Sequence, residues 1–526
     1  MYELNFYCFG ILENKFLNHF LMKKFFELTI LISLLSIFSC FAQKRSDKRG
    51  VSYDIPYLED VIALAPGVSW FYNWGTSPKS TIDNYYSNYM EYYPMAWNSV
   101  NANALRAFKA KHPECKYLLT FNEPNLTDQA NMTPSQAAAQ WPAVKAIAQE
   151  LNLKIVSPAM NYGTLPGYGD PITWLDEFFT KVPLSDIDAI AIHCYMNWPG
   201  ALEWYVGRFA KYGKPIWLTE FCAWEYQEPL TTNAQVGYLF QRNTMIEKLE
   251  FLELNPQVEK YAWFIPRTNN DGEFPYMQLL KKVQGNVLPG TLTELGQIYV
   301  HMSSFDNTKY YVPAEKIPAK NYIKSAPVQL EASTDLAADA YPIQICNFEK
   351  KVFADYLIDI PQAGTYPLTL RMACPANIQP FFKVYSNGTV ATVTDSVSVS
   401  STGGQNNWDA RVINVTLPKG KQTLRIASSG LATGVKLQWL SLSNLNSEVQ
   451  VPLTPKIKVY ADANKQLQIL SSEKILMSTI YNVNGEILMK TRDQQIDIHH
   501  LPKGVYIIQI KFIDGNSTTT KFIINK

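Results

Sequence analysis

The chain carries almost no net charge. Its 526 residues hold 47 Lys and Arg against 46 Asp and Glu, a formal charge of +1. That balance excludes the basic footprint of a nucleic-acid partner and the polybasic patch of an anionic-membrane binder. Cysteine is scarce, at seven residues, and no pair falls at the CxxC spacing of zinc or redox sites. No GxGxxG follows a first strand, which removes the usual reason to expect a dinucleotide cofactor. There is no internal repeat, and past the first 42 residues no apolar run is long enough to span a membrane. Aromatic residues, by contrast, are plentiful: 12 Trp, 31 Tyr and 26 Phe. Such rings fill cores and interfaces, and they also receive the apolar face of a sugar ring.

The first 42 residues read as a targeting segment. Met22-Lys23-Lys24 supplies a positive start, Leu28 to Phe38 is an uncharged apolar run, and Ala42 precedes a cleavage point. Residues 1–21 read as an upstream extension. Cys40 offers lipidation as the other outcome, although bulky Phe38 fits a lipoprotein signal poorly. After cleavage five cysteines remain: Cys115, Cys194, Cys222, Cys346 and Cys374. The compartment permits disulfides. Cys346 and Cys374 share a later domain, as a disulfide or as two buried thiols.

Residues 43–60 read as a linker. From 61 to 305 short apolar strands alternate with helical stretches, and Thr133 before Pro134 predicts a helix start. Seven strands are readable over that span, the size of a (β/α)8 barrel with one strand unread. A doubly wound open sheet is the other arrangement. Residues 306–326 read as a second linker. Residues 327–445 show short strands divided by Gly, Asn and Pro turns, the pattern of an antiparallel sandwich. A Pro-bearing stretch, Val451 to Pro455, leads to a last small sandwich over 455–526.

Two apolar strands end in a carboxylate: Leu118-Leu119-Thr120-Phe121-Asn122-Glu123-Pro124 and Pro215-Ile216-Trp217-Leu218-Thr219-Glu220-Phe221. In a parallel barrel the C-terminal strand ends form the active-site face. Three strands apart in the readable order, Glu123 and Glu220 can face each other across the barrel mouth. Glycoside cleavage needs such a pair, one acid to protonate the leaving oxygen and one carboxylate to support the sugar carbon. That mechanism needs no cofactor.

The wider series narrows the class. Trp70-Phe71-Tyr72-Asn73-Trp74-Gly75, Tyr93-Pro94-Met95-Ala96-Trp97, Asn122-Glu123-Pro124-Asn125, Val156-Ser157-Pro158-Ala159, Ile192-His193-Cys194-Tyr195, Thr219-Glu220-Phe221 and Tyr261-Ala262-Trp263-Phe264 together resemble the catalytic domain of glycoside hydrolase family 128. The resemblance implies a β-1,3-glucan hydrolase with Glu123 as acid/base and Glu220 as nucleophile. It also implies that Asn122 holds the sugar 2-hydroxyl, that His193 and Tyr195 line the donor side, and that Trp263 is a platform beneath the sugar. Asn73, Trp74 and Trp97 would extend the cleft. Two other outcomes stay open on the residues alone: a non-catalytic surface protein that grips glycan, and a hydrolase of a different β-glycan.

Residues Gln329-Leu330-Glu331-Ala332, Ala363-Gly364-Thr365-Tyr366, Asn407-Trp408 and Leu437-Gln438-Trp439-Leu440 resemble a family 6 carbohydrate-binding module. This implies that Trp408 stacks on sugar and that Glu331 helps hold a structural Ca²⁺, with Gln438 where the family often has an acidic ligand. Tyr481-Asn482-Val483-Asn484-Gly485 and Leu501-Pro502-Lys503-Gly504-Val505-Tyr506 resemble a type IX secretion sorting domain. The expected partners are therefore a polysaccharide and the secretion machinery, with a secreted or cell-surface location.

Overall fold

The structure, a computed structural model, describes residues 43–223, 234–268, 276–326, 328–348, 352–375, 378–390, 397–428, 434–445, 458–462, 465–471, 474–512 and 517–524. The targeting segment with Cys40 and Ala42 and the stretch from Val451 to Pro455 lie outside the described residues.

Eight parallel strands form the first domain: β1 (Arg49–Ser52), β2 (Trp70–Tyr72), β3 (Glu91–Tyr92), β4 (Tyr117–Asn122), β5 (Lys154–Ala159), β6 (Ile190–Cys194), β7 (Ile216–Phe221) and β8 (Val258–Trp263). One sheet runs β3-β2-β1-β8-β7-β6 and β4 pairs with β5. The bridges Met95↔Leu119, Val156↔Ala189 and Met160↔Ile192 join the two pieces into a ring. An open doubly wound sheet would have two free edges, so the barrel is the arrangement present. Every residue of β7 is buried, as expected of a parallel strand covered on both faces.

Among the described residues, seven helices lie outside the ring: α1 (Leu58–Leu64), α2 (Ala102–Lys111), α3 (Pro134–Glu150), α4 (Pro171–Phe179), α5 (Pro199–Arg208), α6 (Ala234–Leu254) and α7 (Glu294–His301). A single 3₁₀ turn, Tyr86–Asn88, stands where the helix after β2 would be. Helix α3 starts where the sequence predicts. Thr133 accepts from Gln136 N–H in a reciprocal capping box, and Pro134 fills the first helical position.

The unread strand is β1, which corrects the reading of 43–60 as linker. It pairs with β2 and β8 and closes the barrel. Gly50 is required there, because a Cβ would stand 2.4 Å from the Trp70 ring. Arg49 is fully enclosed. It donates to Tyr261 Oη at 2.9 Å, Glu253 Oε1 at 2.9 Å and the Tyr299 and Ser303 carbonyls at 2.7 Å each. A buried guanidinium without these partners would cost several kcal/mol; with them it pins β1 to α6 and α7.

The next domain is two antiparallel six-stranded sheets. One orders Lys324–Ala326, Phe353–Ile360, Gly420–Ser428, Ile378–Ser386 and Thr389–Val390, with Val397–Val399 on the fourth strand. The other orders Gln329–Ala332, Ile343–Cys346, Lys436–Leu442, Gly364–Ala373 and Trp408–Leu417, with Lys316–Pro318 paired to the Lys436–Leu442 strand. The residues read as a second linker, 306–326, thus supply one strand to each sheet. No disulfide joins Cys346 to Cys374; both are buried thiols. The module is fixed to the barrel through carboxylates of α6 and α7. Glu250 accepts from Ser325 N–H at 2.9 Å and Ser325 O–H at 2.7 Å, and Glu294 accepts from Ala332 N–H at 3.2 Å.

The unit Leu445–Lys526 is separate. Its four-stranded sheet orders Ile487–Thr491, Ile475–Tyr481, Gly504–Phe512 and Ser517–Ile524, and a three-stranded sheet accompanies it. Leu467, Ile480, Ile496, Ile508, Ile510 and Phe522 form its core. Among the described residues no helix is long and apolar enough to cross a membrane.

Candidate active site

Every residue of the site sits at a strand C-terminus. Glu123 follows β4, Glu220 is the penultimate residue of β7, His193 lies in β6, and Tyr72 ends β2. Glu123, His193 and Glu220 are buried, and one side-chain ligand atom from each lies within 4.8 Å of the other two. The carboxylates are therefore close enough to act on a single bond.

Their surroundings differ. Glu220 Oε1 accepts from Tyr72 O–H and from Trp74 Nε1–H, both at 2.8 Å. Glu220 Oε2 accepts from Tyr195 O–H. Tryptophan Nε1–H can only donate. Burial and the nearby Glu220 charge push the Tyr72 and Tyr195 hydroxyls well above the usual phenol range, so both stay protonated. Three donors on one carboxylate favour its anion. Against them, burial foremost and the neighbouring Glu123 push Glu220 above the usual carboxylate range. Glu123 Oε1 accepts from Asn161 Nδ2–H at 3.1 Å and meets His193 Nδ1 at 2.8 Å.

His193 stands between the two acids, with Nδ1 also 3.6 Å from Glu220 Oε2. Burial pushes its pKa down, but the Glu220 and Glu123 carboxylates outweigh burial and hold it above the usual imidazole range. The effect is mutual: a charged His193 favours the ionised form of Glu220. Replacing His193 with Asn should therefore raise the Glu220 pKa and move the acid limb of the kcat/KM profile up by about one pH unit. An unmoved limb in the pH profile would reduce His193 to packing.

Two backbone positions in the site carry strain. Glu123 has φ +43° and Trp74 has φ +61°. Non-glycine residues avoid this region at a cost of about 1–3 kcal/mol. Glu123 is held there by its N–H on the Ala159 carbonyl of β5 at 3.0 Å. The strain aims each side chain across the barrel mouth.

The other expected residues divide. Asn122 donates to Gln129 Oε1 at 3.2 Å, while its buried Oδ1 has no hydrogen-bond partner. That oxygen has unused acceptor capacity. Trp97 is half-buried beside it and accepts the Asn122 N–H at 2.8 Å through its carbonyl. Two expectations are corrected. Trp263 is no platform: its ring is fully buried, its Nε1–H is on the Met277 carbonyl at 2.8 Å, and it packs on Phe221 and Tyr299. Asn73 has no capacity left for a sugar. Its Nδ2 serves Asp54 and the Ser77 carbonyl, and its Oδ1 takes Gly75 N–H and Tyr92 O–H.

Sequence reasoning missed Tyr72, Asn161 and Phe264. The ring at the site from the end of β8 is Phe264, 6.0 Å from the Trp74 ring and 5.5 Å from Tyr195. Side chains alternate across a strand, so Trp263 and its neighbour face opposite ways. The available signal was that alternation.

In the second domain Trp408 is the first residue of its strand, half-buried with Nε1–H toward Thr334 Oγ1 at 3.2 Å. Glu331 Oε1 is 2.6 Å from Lys436 Nζ and accepts from Gln344 Nε2–H at 2.6 Å. Gln438 serves Ser333 and the Tyr341 backbone. Calcium wants six to eight oxygen ligands. An ammonium already on the one acid, beside a saturated amide, does not fit it.

Three family models match in series. They are a glycosyl hydrolase catalytic core over residues 50–299, a carbohydrate binding module (family 6) over 318–444, and a secretion system C-terminal sorting domain over 462–525. Alkali-sensitive linkage protein 1 of Schizosaccharomyces pombe is 28% identical over 266 residues, 48% of this chain. The chain spans 44% of that relative's length. The crystal structure of a glycoside hydrolase family 128 (subgroup II) endo-β-1,3-glucanase from Pseudomonas viridiflava is 38% identical, with 49% of this chain and 98% of that one covered and a TM-score of 0.44. A subgroup II enzyme from Sorangium cellulosum is 34% identical, covering 48% and 98%, with a TM-score of 0.42.

Proposed function

We propose, from the premise that this chain belongs to glycoside hydrolase family 128, that it cleaves β-1,3-glucan internally with retention of configuration, using Glu123 as acid/base and Glu220 as nucleophile. The observation that carries the reading is the pair of buried carboxylates at strand ends of a closed barrel, one oxygen of each within 4.8 Å of the other. Retaining pairs stand about 5–5.5 Å apart, whereas inverting pairs leave room for a water at about 6.5–9.5 Å. A protein that only grips glycan has no use for two buried acids with an imidazole between them.

Each step balances. Glu123 gives its proton to the glycosidic oxygen as the Glu220 carboxylate attacks the anomeric carbon. The C1–O bond breaks, the leaving chain departs as an alcohol, and a glycosyl ester forms on Glu220. Glu123, now ionised, takes a proton from an entering water. That water attacks C1 and frees Glu220, so one water has been added across the bond. Tyr72, Trp74 and Tyr195 hold the Glu220 anion in line, and Asn122 Oδ1 takes the sugar 2-hydroxyl. Trp74 and Phe264 supply the aromatic wall. No cofactor enters this scheme. In the second domain we read Trp408 as a sugar-stacking ring and the Glu331–Lys436 pair as standing in place of calcium.

The chain is secreted, to the cell surface or the extracellular space, through its type IX sorting domain. The deciding measurement is proton NMR of the first products from soluble β-1,3-glucan. New reducing ends that are β before they mutarotate are expected. First-formed α ends would overturn the retaining assignment, and no products from β-1,3-glucan, with turnover of another β-glycan, would overturn the substrate.

A further inference from the structure

A patch on the barrel flank is not used by the catalytic groups. Trp204 of α5 is 56% exposed and Tyr162, in the loop after β5, is 40% exposed. Large aromatic side chains are mostly buried, and neighbouring exposed ones mark interaction sites. Arg208 joins these two. It lies four residues after Trp204, on the same helix face. Its guanidinium carbon is 5.2 Å from the Trp204 ring centre and 5.9 Å from that of Tyr162. Nη1–H donates to Tyr162 Oη at 2.8 Å and Nη2–H to Asp170 Oδ2 at 2.6 Å. Asp170 is itself fixed, since its other oxygen caps α4 through Ile172 N–H at 2.8 Å. The rings are therefore pre-set, which lowers the entropy cost of binding. Trp198 is exposed too, but its ring meets Phe240 of α6 instead.

The patch is continuous with the catalytic site. Tyr162 N–H donates to Asn161 Oδ1 at 2.8 Å, and Asn161 Nδ2–H donates to Glu123 Oε1 at 3.1 Å. It thus begins one residue from the group that protonates the leaving oxygen. We propose that Tyr162, Arg208 and Trp204 form a distal subsite that grips the β-1,3-glucan chain beyond the leaving-group side of the cleavage point. The proposal rests on the glucanase reading of the site. Sugar C–H faces meet the electron-rich faces of Trp204 and Tyr162. Because Asp170 already neutralises Arg208, the patch presents no net charge. That suits an uncharged hexose chain and gives nothing to a sulfated or acidic glycan.

The test compares two substrates on the full chain: a long soluble β-1,3-glucan and a β-1,3-linked tetrasaccharide too short to reach the patch. Trp204→Ala should lower the ratio of kcat/KM, long over short, by about tenfold, through KM. Trp204→Tyr should restore most of the ratio. Arg208→Met, which releases the clamp while leaving Trp204 in place, should lower it in the same direction and guards against a folding defect in the first variant. An unchanged ratio in Trp204→Ala, or equal losses on both substrates, overturns the subsite. Wild-type protein that cleaves neither substrate overturns the glucanase reading instead, before any variant is made.

Discussion

Glu220→Gln should lower kcat on β-1,3-glucan by at least about 10⁴-fold, a barrier increase of about 5.5 kcal/mol. The amide matches the carboxylate in shape, so Tyr72 and Trp74 keep an acceptor at Oε1. What is lost is the anion that forms the glycosyl ester. The fold should not suffer. In the wild type, burial and the adjacent Glu123 both disfavour the charged form of Glu220, and a neutral amide removes that repulsion. The melting temperature of the variant should therefore equal or exceed that of the wild type. Glucan binding, measured by calorimetry, should persist. Full activity in Glu220→Gln would dismiss this residue as nucleophile. Activity lost together with a large fall in melting temperature would mean that Glu220 holds the barrel together instead of serving catalysis.

The two acids are legible in the sequence because each closes a short, mostly apolar run and so sits at a strand end. The fold class is legible for the same reason, since strands and helices alternate at regular length. β1 escapes because Arg-Gly-Val-Ser offers one apolar side chain in four positions. Its burial comes from what Arg49 bonds to across more than 200 residues of sequence, and no local pattern carries that. The same holds for Lys316–Pro318, whose strand partner, Lys436–Leu442, lies far along the chain.

The errors at the site have a different cause. A motif names a neighbourhood, while a strand has two faces. Slipping by one residue puts a side chain on the wrong face, which is how Trp263 reads as the ring that Phe264 supplies. Asn73 fails for want of capacity, because its amide is consumed by the loop that presents Trp74. Tyr72 escapes notice because a tyrosine ending an apolar strand reads as core. Only the positions of Trp74 and Tyr195 reveal that the three donors converge on one carboxylate.

Glu123→Ala should separate the two halves of the reaction. On β-1,3-glucan, kcat/KM should fall by about 10²–10⁴-fold, because the leaving alcohol goes unprotonated. A 2,4-dinitrophenyl β-1,3-linked disaccharide needs no proton to depart, so Glu220 still attacks and dinitrophenolate leaves. The glycosyl ester then accumulates, since nothing removes a proton from the incoming water. Azide carries no proton to remove. It should attack C1 of the ester, free Glu220 and raise turnover, leaving a β-glycosyl azide. The reverse holds for Glu220→Ala. There azide enters the face the carboxylate occupied, Glu123 still protonates the leaving group, and the product is the α-azide. The anomer of the azide, read by proton NMR, thus assigns each glutamate independently of how far activity falls. A β-azide from Glu220→Ala and an α-azide from Glu123→Ala would exchange the two roles. Three hydrogen-bond donors face Glu220, whereas among the described residues Glu123 meets the Asn161 amide and the His193 imidazole, and that asymmetry argues for Glu220 as the nucleophile and Glu123 as the proton donor.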